Sequence, residues 1–301
     1  MFVPATPADR LGFDVCVVGS ANLDLVVTTV RIPGPGETVL GSDYAEHAGG
    51  KGLNQAVAAA RSGARTTFVG AIGNDDAGTQ LAEVLTTDRI DATYLLTFER
   101  TTNVATGRAL IVVDDHGENT IVVVPGANAQ VTAPTPFPSA RVVLAQLEIP
   151  LQSVGDAFSA ARNLGATTIL NPAPAAALPG SLLVLCDIVV PNEHELDLLG
   201  GSAALLYAGC GVVVVTRGAA GVDLVTHADV LHLDAFEVAP VDTTGAGDAF
   251  CGSLAARLAA GDELVDAVRW ATAAGALATT VVGAVPAQPT ASAIRDLLSR
   301  Q

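Results

Sequence analysis

The sequence predicts an α/β protein with a mostly parallel sheet covered on both faces and a small β-sheet inserted into it. Three observations carry that prediction. Short apolar runs rich in β-branched residues recur along the chain, as in strands buried on both faces. Segments of helical character alternate with them, the order that builds parallel βαβ units. Two stretches, 23–47 and 101–125, break the alternation and are rich in Thr, Val and turn residues.

Taken in order, the run 15–18 ends in Gly19-Ser20 and predicts a buried strand. A helix is expected over 53–61, stopping at Gly63, a suitable C-cap. Strand 67–72, helix 77–85, strand 142–147 and helix 154–164 follow. Further strands are expected at 167–170, 188–190 and 212–216, with a short helix near 193–199. The last third is helical over 246–260, 263–279 and 291–298. In the two exceptional stretches, 39–45 pairs with 25–30, and 109–113 pairs with 120–124 around Asp114-Asp-His-Gly117. These hairpins form a discontinuous lid, at about 22–47 and 98–125, on a single domain spanning 1–301. Pro134-Thr-Pro-Phe-Pro138 is the loop that returns the chain to the core.

With 301 residues, 50% of them apolar and only 4% aromatic, the core must be built from Ala, Val, Leu and Ile. A formal charge of −16 opposes an extended phosphate backbone, so nucleic acid is not an expected partner. Cys16, Cys186, Cys210 and Cys251 are scattered without zinc-ligand spacing, as free thiols in a reducing cytoplasm would be. Residues 1–14 hold no apolar stretch of signal-peptide length, and 270–285 is too short and too rich in threonine to span a bilayer. A cytoplasmic protein with no membrane partner is expected. Lys51 is the single lysine, set between glycines, and directs attention there.

Asp242-Thr-Thr-Gly-Ala-Gly-Asp-Ala-Phe250 is the most informative segment. Gly245, Ala246 and Gly247 stand where a loop enters a helix, so free backbone N–H groups and the positive dipole end point outward. Such a turn suits an anion, for instance a phosphoryl group in transfer. Asp248 follows in the first turn, where it can take a proton from a hydroxyl attacking that group. A capping Asp on a Gly-rich turn is the plainer alternative. The upstream Asp242-Thr-Thr and the long Ala-rich helix favour the chemical role.

Gly49-Gly-Lys-Gly-Leu-Asn54 is the second segment, its glycines letting a ligand approach the backbone. It is not a P-loop, because Ala45 and Gly52 stand where that pattern needs Gly and Ser or Thr. Phe250 likewise occupies the third glycine position of a dinucleotide fingerprint. Asn22 and Asp24, two apart in an extended segment, face one side. Amide beside carboxylate suits a polyol, although either residue alone is common in turns. Glu148 closes the strand 142–147 at the carboxyl edge, where open α/β sheets bind ligands. Asn192 and Glu195 follow the strand 188–190 at that edge, and Thr216-Arg-Gly-Ala-Ala-Gly221 follows another strand. The five histidines form no metal-binding spacing, and Cys251 reads as packing.

Gly49-Gly-Lys-Gly-Leu-Asn-Gln55 and Asp242-Thr-Thr-Gly-Ala-Gly-Asp248, in this order and separation, resemble the signatures of the ribokinase-like family of carbohydrate kinases. Gln146-Leu-Glu148, Asn171-Pro-Ala-Pro174 and Pro191-Asn-Glu-His-Glu195 extend the resemblance, which runs from about residue 14 to 298. It implies a three-layer core with a β lid, and an ATP-dependent kinase for a small sugar, foremost D-ribose at O5. Deoxyribose, a ketohexose, a keto-deoxy sugar acid or a nucleoside are alternative substrates. A catalytically silent sugar-binding protein is a further alternative, opposed by the intact Asp248 and Gly245-Ala-Gly247.

The resemblance places Asn22, Asp24, Gly50, Asn54, Glu148 and Asp248 on the sugar, with Ala109 and Val123 as lid residues over its apolar face. Lys51 is implied near sugar and phosphates. Asn192, Glu195, Thr216, Gly218 and Gly221 are implied to border ATP and its Mg²⁺. Thr272 stands where some members set a histidine against adenine. A K⁺ ion is implied beside the anion hole at Asp242, Thr244, Ala278, Val281, Gly283 and Ala287, the last lacking the side-chain oxygen common there. The resemblance also implies a homodimer joined through the lid.

Overall fold

The computed structural model describes residues 12–300, so the expectation for the first eleven residues lies outside the described residues. β1 (Phe13–Val18) leads into β2 (Asn22–Thr29) and β3 (Gly41–Gly49), then α1 (Lys51–Arg61), β4 (Thr66–Gly73), α2 (Asp76–Thr87) and β5 (Leu95–Phe98). A second pair, β6 (Gly107–Asp114) and β7 (Asn119–Val124), precedes β8 (Ala140–Ala145), α3 (Leu151–Asn163) and β9 (Thr167–Leu170). Next come α4 (Gly180–Leu183), β10 (Ile188–Val189), α5 (Glu193–Leu198), α6 (Ser202–Tyr207), β11 (Val212–Thr216), β12 (Val222–Val225) and β13 (Val230–Leu233). The chain continues through α7 (Ala246–Ala260), α8 (Leu264–Ala278), α9 (Ala284–Ala287) and α10 (Ala291–Leu298).

Nine strands form the main sheet in the order β13-β12-β11-β10-β9-β8-β1-β4-β5. All neighbours pair in parallel except β11–β12 and β12–β13, which are antiparallel. Alternation along β1 builds the layers. Val15 and Val17 point into a core shared with Leu53, Val57, Leu254 and Val268 of α1, α7 and α8. Cys16 and Val18 point into the opposite core, with Val154 and Phe158 of α3 and Leu205 of α6. A strand buried on both faces needs a continuous apolar run, which is why β1 was legible in the sequence. The antiparallel hairpin β12–β13 was not expected. Its residues are short, alternating and half exposed, so they carry no buried run.

Four strands form the second sheet, in the order β3-β2-β6-β7. Both hairpins pair as expected, with Ala109 opposite Val123 and Asp24 opposite His47. The two hairpins meet through a parallel β2–β6 pair that the sequence did not show. Phe98 belongs to β5 on the main sheet, so the second segment of the lid starts at Gly107 rather than near 98. β7 is exposed along its whole length, including Ile121, Val122, Val123 and Val124.

Candidate active site

The carboxyl ends of the parallel strands converge on one place. After β1 the chain turns at Gly19-Ser20 so tightly against α1 that a Cβ on Gly52 would lie 2.4 Å from the Ser20 nitrogen. This contact brings the start of α1 to the sheet edge. Gly50 precedes α1 at φ +88°, where a Cβ would also sit 2.7 Å from the Asn22 nitrogen, so glycine is required twice over. Across the edge, Gly245 enters α7 with φ +76°; the Ala246 N–H is taken by the Thr243 carbonyl at 3.3 Å, which leaves those of Gly245, Gly247 and Asp248 as the donors of this turn. α1 and α7 touch at Gly252, where a Cβ would lie 2.3 Å from the Gln55 carbonyl oxygen.

That contact sets two α1 side chains against Asp248. Asn54 Nδ2 donates to one carboxylate oxygen at 2.9 Å, and Gln55 Nε2 donates to the other at 2.8 Å. Asp248 is buried, yet it lines a cavity of about 220 Å³ with Lys51, Asn192, Glu195, Thr216, Gly245 and Gly247. Asn171, Ala173, Val190, Thr243 and Cys251 line it too, and sequence reasoning gave none of these a site role. Burial works against the charge of Lys51, but Asp248, Glu148 and Glu195 outweigh it and push its pKa above the ordinary lysine value. Burial, with the charges of Asp248 and Glu195, pushes the Cys251 thiol far up, so it is no nucleophile.

Asn22 and Asp24 stand at the start of β2 in the lid sheet, and Glu148 on the loop after β8; none of the three lines this cavity. Asn22 is buried, its Oδ1 accepting from Asn128 Nδ2 at 2.7 Å. Asp24 pairs with Ala109 across β2–β6 within the lid sheet, and Ala109 is buried there. Burial first, then the charges of Glu148 and Asp248, push the Asp24 carboxyl up to about 7. Glu148 stands three residues beyond β8 instead of closing it; its Oε2 accepts from Ser20 Oγ and from the Lys51 backbone N–H at 3.0 Å. Val123 is exposed on β7, opposite Ala109, which is itself opposite Asp24, so the three residues share one face of the second sheet.

Asn192 and Glu195 form a reciprocal cap on α5, Asn192 Oδ1 accepting at 2.7 Å and Glu195 Oε2 at 2.9 Å. Gly218 and Gly221 shape the turn after β11, both at positive φ, outside the cavity lining. Thr272 is buried in α8, where its hydroxyl donates to the Val268 carbonyl. The Asp242 carboxylate joins two distant segments, accepting from Thr244 N at 2.9 Å and Gly283 N at 2.8 Å. Burial opposes its charge, but these hydrogen bonds hold its pKa below the usual carboxylate value. Ala278 and Ala287 are buried together against Ala249 of α7, while Val281 is partly exposed.

A helix start with free N–H groups beside a buried carboxylate, at the open edge of a three-layer α/β core, is the arrangement of a small-molecule kinase. The chain belongs to the pfkB family of carbohydrate kinases, whose model matches residues 13–291. It is 39% identical to a ribokinase of Staphylococcus aureus, over 91% of this chain and 96% of that protein. Its fold is similar to a ribokinase of Thermotoga maritima, with a TM-score of 0.87 at 32% identity over 95% and 99% of the two chains. It is equally similar to an Arabidopsis thaliana ribokinase solved with ribose and ATP, with a TM-score of 0.88 at 31% identity over 96% and 99%.

Proposed function

We propose that this chain phosphorylates D-ribose at O5 with ATP, as one kinase unit whose inserted sheet closes over the sugar. The observation that carries this reading is Asp248, buried and fixed on both oxygens by donors, beneath the N–H groups of the Gly245–Gly247 turn. In this mechanism the O5 hydroxyl attacks the γ-phosphorus, its proton passes to Asp248, and the bond to the ADP oxygen breaks. The amides at the start of α7 hold the charge on the phosphoryl oxygens. Lys51, beside three carboxylates, keeps its charge for the phosphates.

Among the described residues no side chain or backbone N–H donates to Asp24, so both its oxygens are free for sugar hydroxyls. Asn54 Oδ1 is likewise buried without a partner, as an acceptor awaiting a hydroxyl would be. Neutral polyol recognition follows from that set, since a sugar acid would want an arginine. Asn192, Glu195, Thr216, Gly218 and Gly221 border the nucleotide in this reading, with Thr272 behind it.

No cluster of three or more His, Cys, Asp or Glu able to hold a metal occurs among the described residues. That suits a Mg²⁺ carried by ATP phosphates with few protein ligands. For K⁺, the carbonyl oxygens of Asp242, Thr244, Val281 and Gly283 are not used by a turn or loop hydrogen bond among the described residues, whereas that of Ala278 accepts from Val281 N at 3.3 Å, so the donor set fits without Ala278. Next to Ala287, Gln288 Oε1 is buried without a partner, while its Nε2 donates to the Ala284 and Gly245 carbonyls. Bound there, K⁺ would set the geometry of the Gly245 turn.

No helix among the described residues is long and apolar enough to cross a membrane, and Cys16, Cys186, Cys210 and Cys251 are free, which supports a cytoplasmic site of action. The exposed apolar β7 supports a homodimer through the lid. ADP release with D-ribose, 2-deoxyribose, fructose and no sugar tests the reading. ADP released at the same rate without sugar, or a higher kcat/KM for another sugar, would overturn it.

A further inference from the structure

Gln55, Gln146 and Asn171 form a buried chain of amides that ends on Asp248. Gln55 and Gln146 are completely buried and Asn171 nearly so. The orientation of every amide is fixed from one end. Asn171 Nδ2 donates to the Val190 backbone carbonyl at 3.0 Å, and a carbonyl can only accept. Asn171 Oδ1 must then face Gln55, whose Nε2 donates to it at 3.0 Å. The second proton of the same nitrogen goes to Asp248 Oδ1 at 2.8 Å. Gln55 Oε1, turned the other way, accepts from Gln146 Nε2 at 2.5 Å. A flipped Gln55 would set oxygen against oxygen at two contacts, so only one arrangement survives.

With Asn54 on Oδ2 and Gln55 on Oδ1, the Asp248 carboxylate has one donor on each oxygen and no freedom to rotate. The backbone contact at Gly252 fixes how far α1 stands from α7, which is what lets the Gln55 amide reach. We propose that Gln55 is the positioning residue for the base, with Gln146 and Asn171 behind it as the anchors that hold its amide the right way round. Gln55 meets neither sugar nor nucleotide. It acts through Asp248, holding the carboxylate in the rotamer that receives the hydroxyl proton, and this rests on Asp248 being the base.

The test is a double-mutant cycle on purified full-length protein. Gln55→Met keeps the volume and removes the donor, and kcat is expected to fall about 10- to 100-fold with sugar and ATP KM within about threefold. Gln55→Glu sets a carboxylate against Asp248 and is expected to cost at least as much. Gln146→Met, one amide further away, is expected to cost about 3- to 10-fold and keeps the test open if Gln55 variants fold poorly. In an Asp248→Asn background both losses are expected to shrink below about twofold, because there is no base left to position. A purely structural role would instead lower kcat by the same factor in both backgrounds, and that result, or a wild-type kcat in Gln55→Met, overturns the proposal. Wild-type turnover in Asp248→Asn alone would remove the base assignment itself, a separate failure.

Discussion

Replacing Asp24 by Asn should make the sugar-free protein more stable, by an amount that grows from about pH 4 and is complete above about pH 7. Asp24 sits partly buried with Glu148 and Asp248 close enough to repel its charge, and its carboxyl rises from 3.8 to about 7. Between an unfolded value of about 3.9 and the folded value, the folded state keeps a proton that the unfolded state has lost. The contribution is therefore whole below about pH 4, is lost as pH rises toward 7, and stays lost above it. A displacement of about three in pH corresponds to about 4 kcal/mol at roughly 1.4 kcal/mol each. Asp24 is not fully buried, and screening by water reduces this to about 2 kcal/mol. Asn has the same shape and no charge, so Asp24→Asn should exceed wild type by only about 0.7 kcal/mol at pH 5, where about a third of the loss has occurred, and by about 2 kcal/mol at pH 8.5. For a chain of 301 residues that is a rise of about 3 °C in Tm. Asp75 and Asp242, whose carboxyls are held low, lose their contribution on the acid side, but identically in both proteins. Urea titrations of the two proteins at both pH values read the difference directly. An advantage of the same size at both pH values, or a less stable variant at pH 8.5, would refute the electrostatic account.

Other expected outcomes follow from the same geometry. Asp248→Asn should lower kcat by about 10² to 10⁴-fold while calorimetry still detects sugar binding, since the shape and the Gln55 hydrogen bond survive and Asn54 can turn its unpartnered Oδ1 to accept from the new amide. Asp24→Ala should raise sugar KM and leave ATP KM unchanged, because no protein donor uses its oxygens; the reverse pattern would move Asp24 to the nucleotide side. Initial rates in KCl should exceed those in NaCl at matched ionic strength, and Asp242→Ala, which unties Thr244 from Gly283, should remove the difference. Equal rates in both salts for the wild type would show that the ion site is lost. Sedimentation at micromolar concentration should show a dimer that Val122→Asp dissociates, whereas a 30.3 kDa species alone for the wild type would exclude association through β7.

Much of this protein was determined by its sequence alone. Buried strands such as β1 must be continuously apolar, and the glycines before α1 and α7 mark backbone that no other residue can follow, so fold class, lid hairpins and both glycine turns were readable locally. Edge elements were not: β5, β12 and β13 are short and half exposed, so burial left no signature in them. Glu148 was expected at a strand end, yet its carboxylate instead meets the Lys51 N–H, 97 positions away in the chain. The parallel meeting of β2 with β6 and the Gln55–Asp248 contact across 193 positions were decided only by the tertiary structure. Periodicity reports how one segment faces its surroundings. Which segment it faces depends on loop closure and on the close approach that Gly52 and Gly252 permit, and neither leaves a repeat to read.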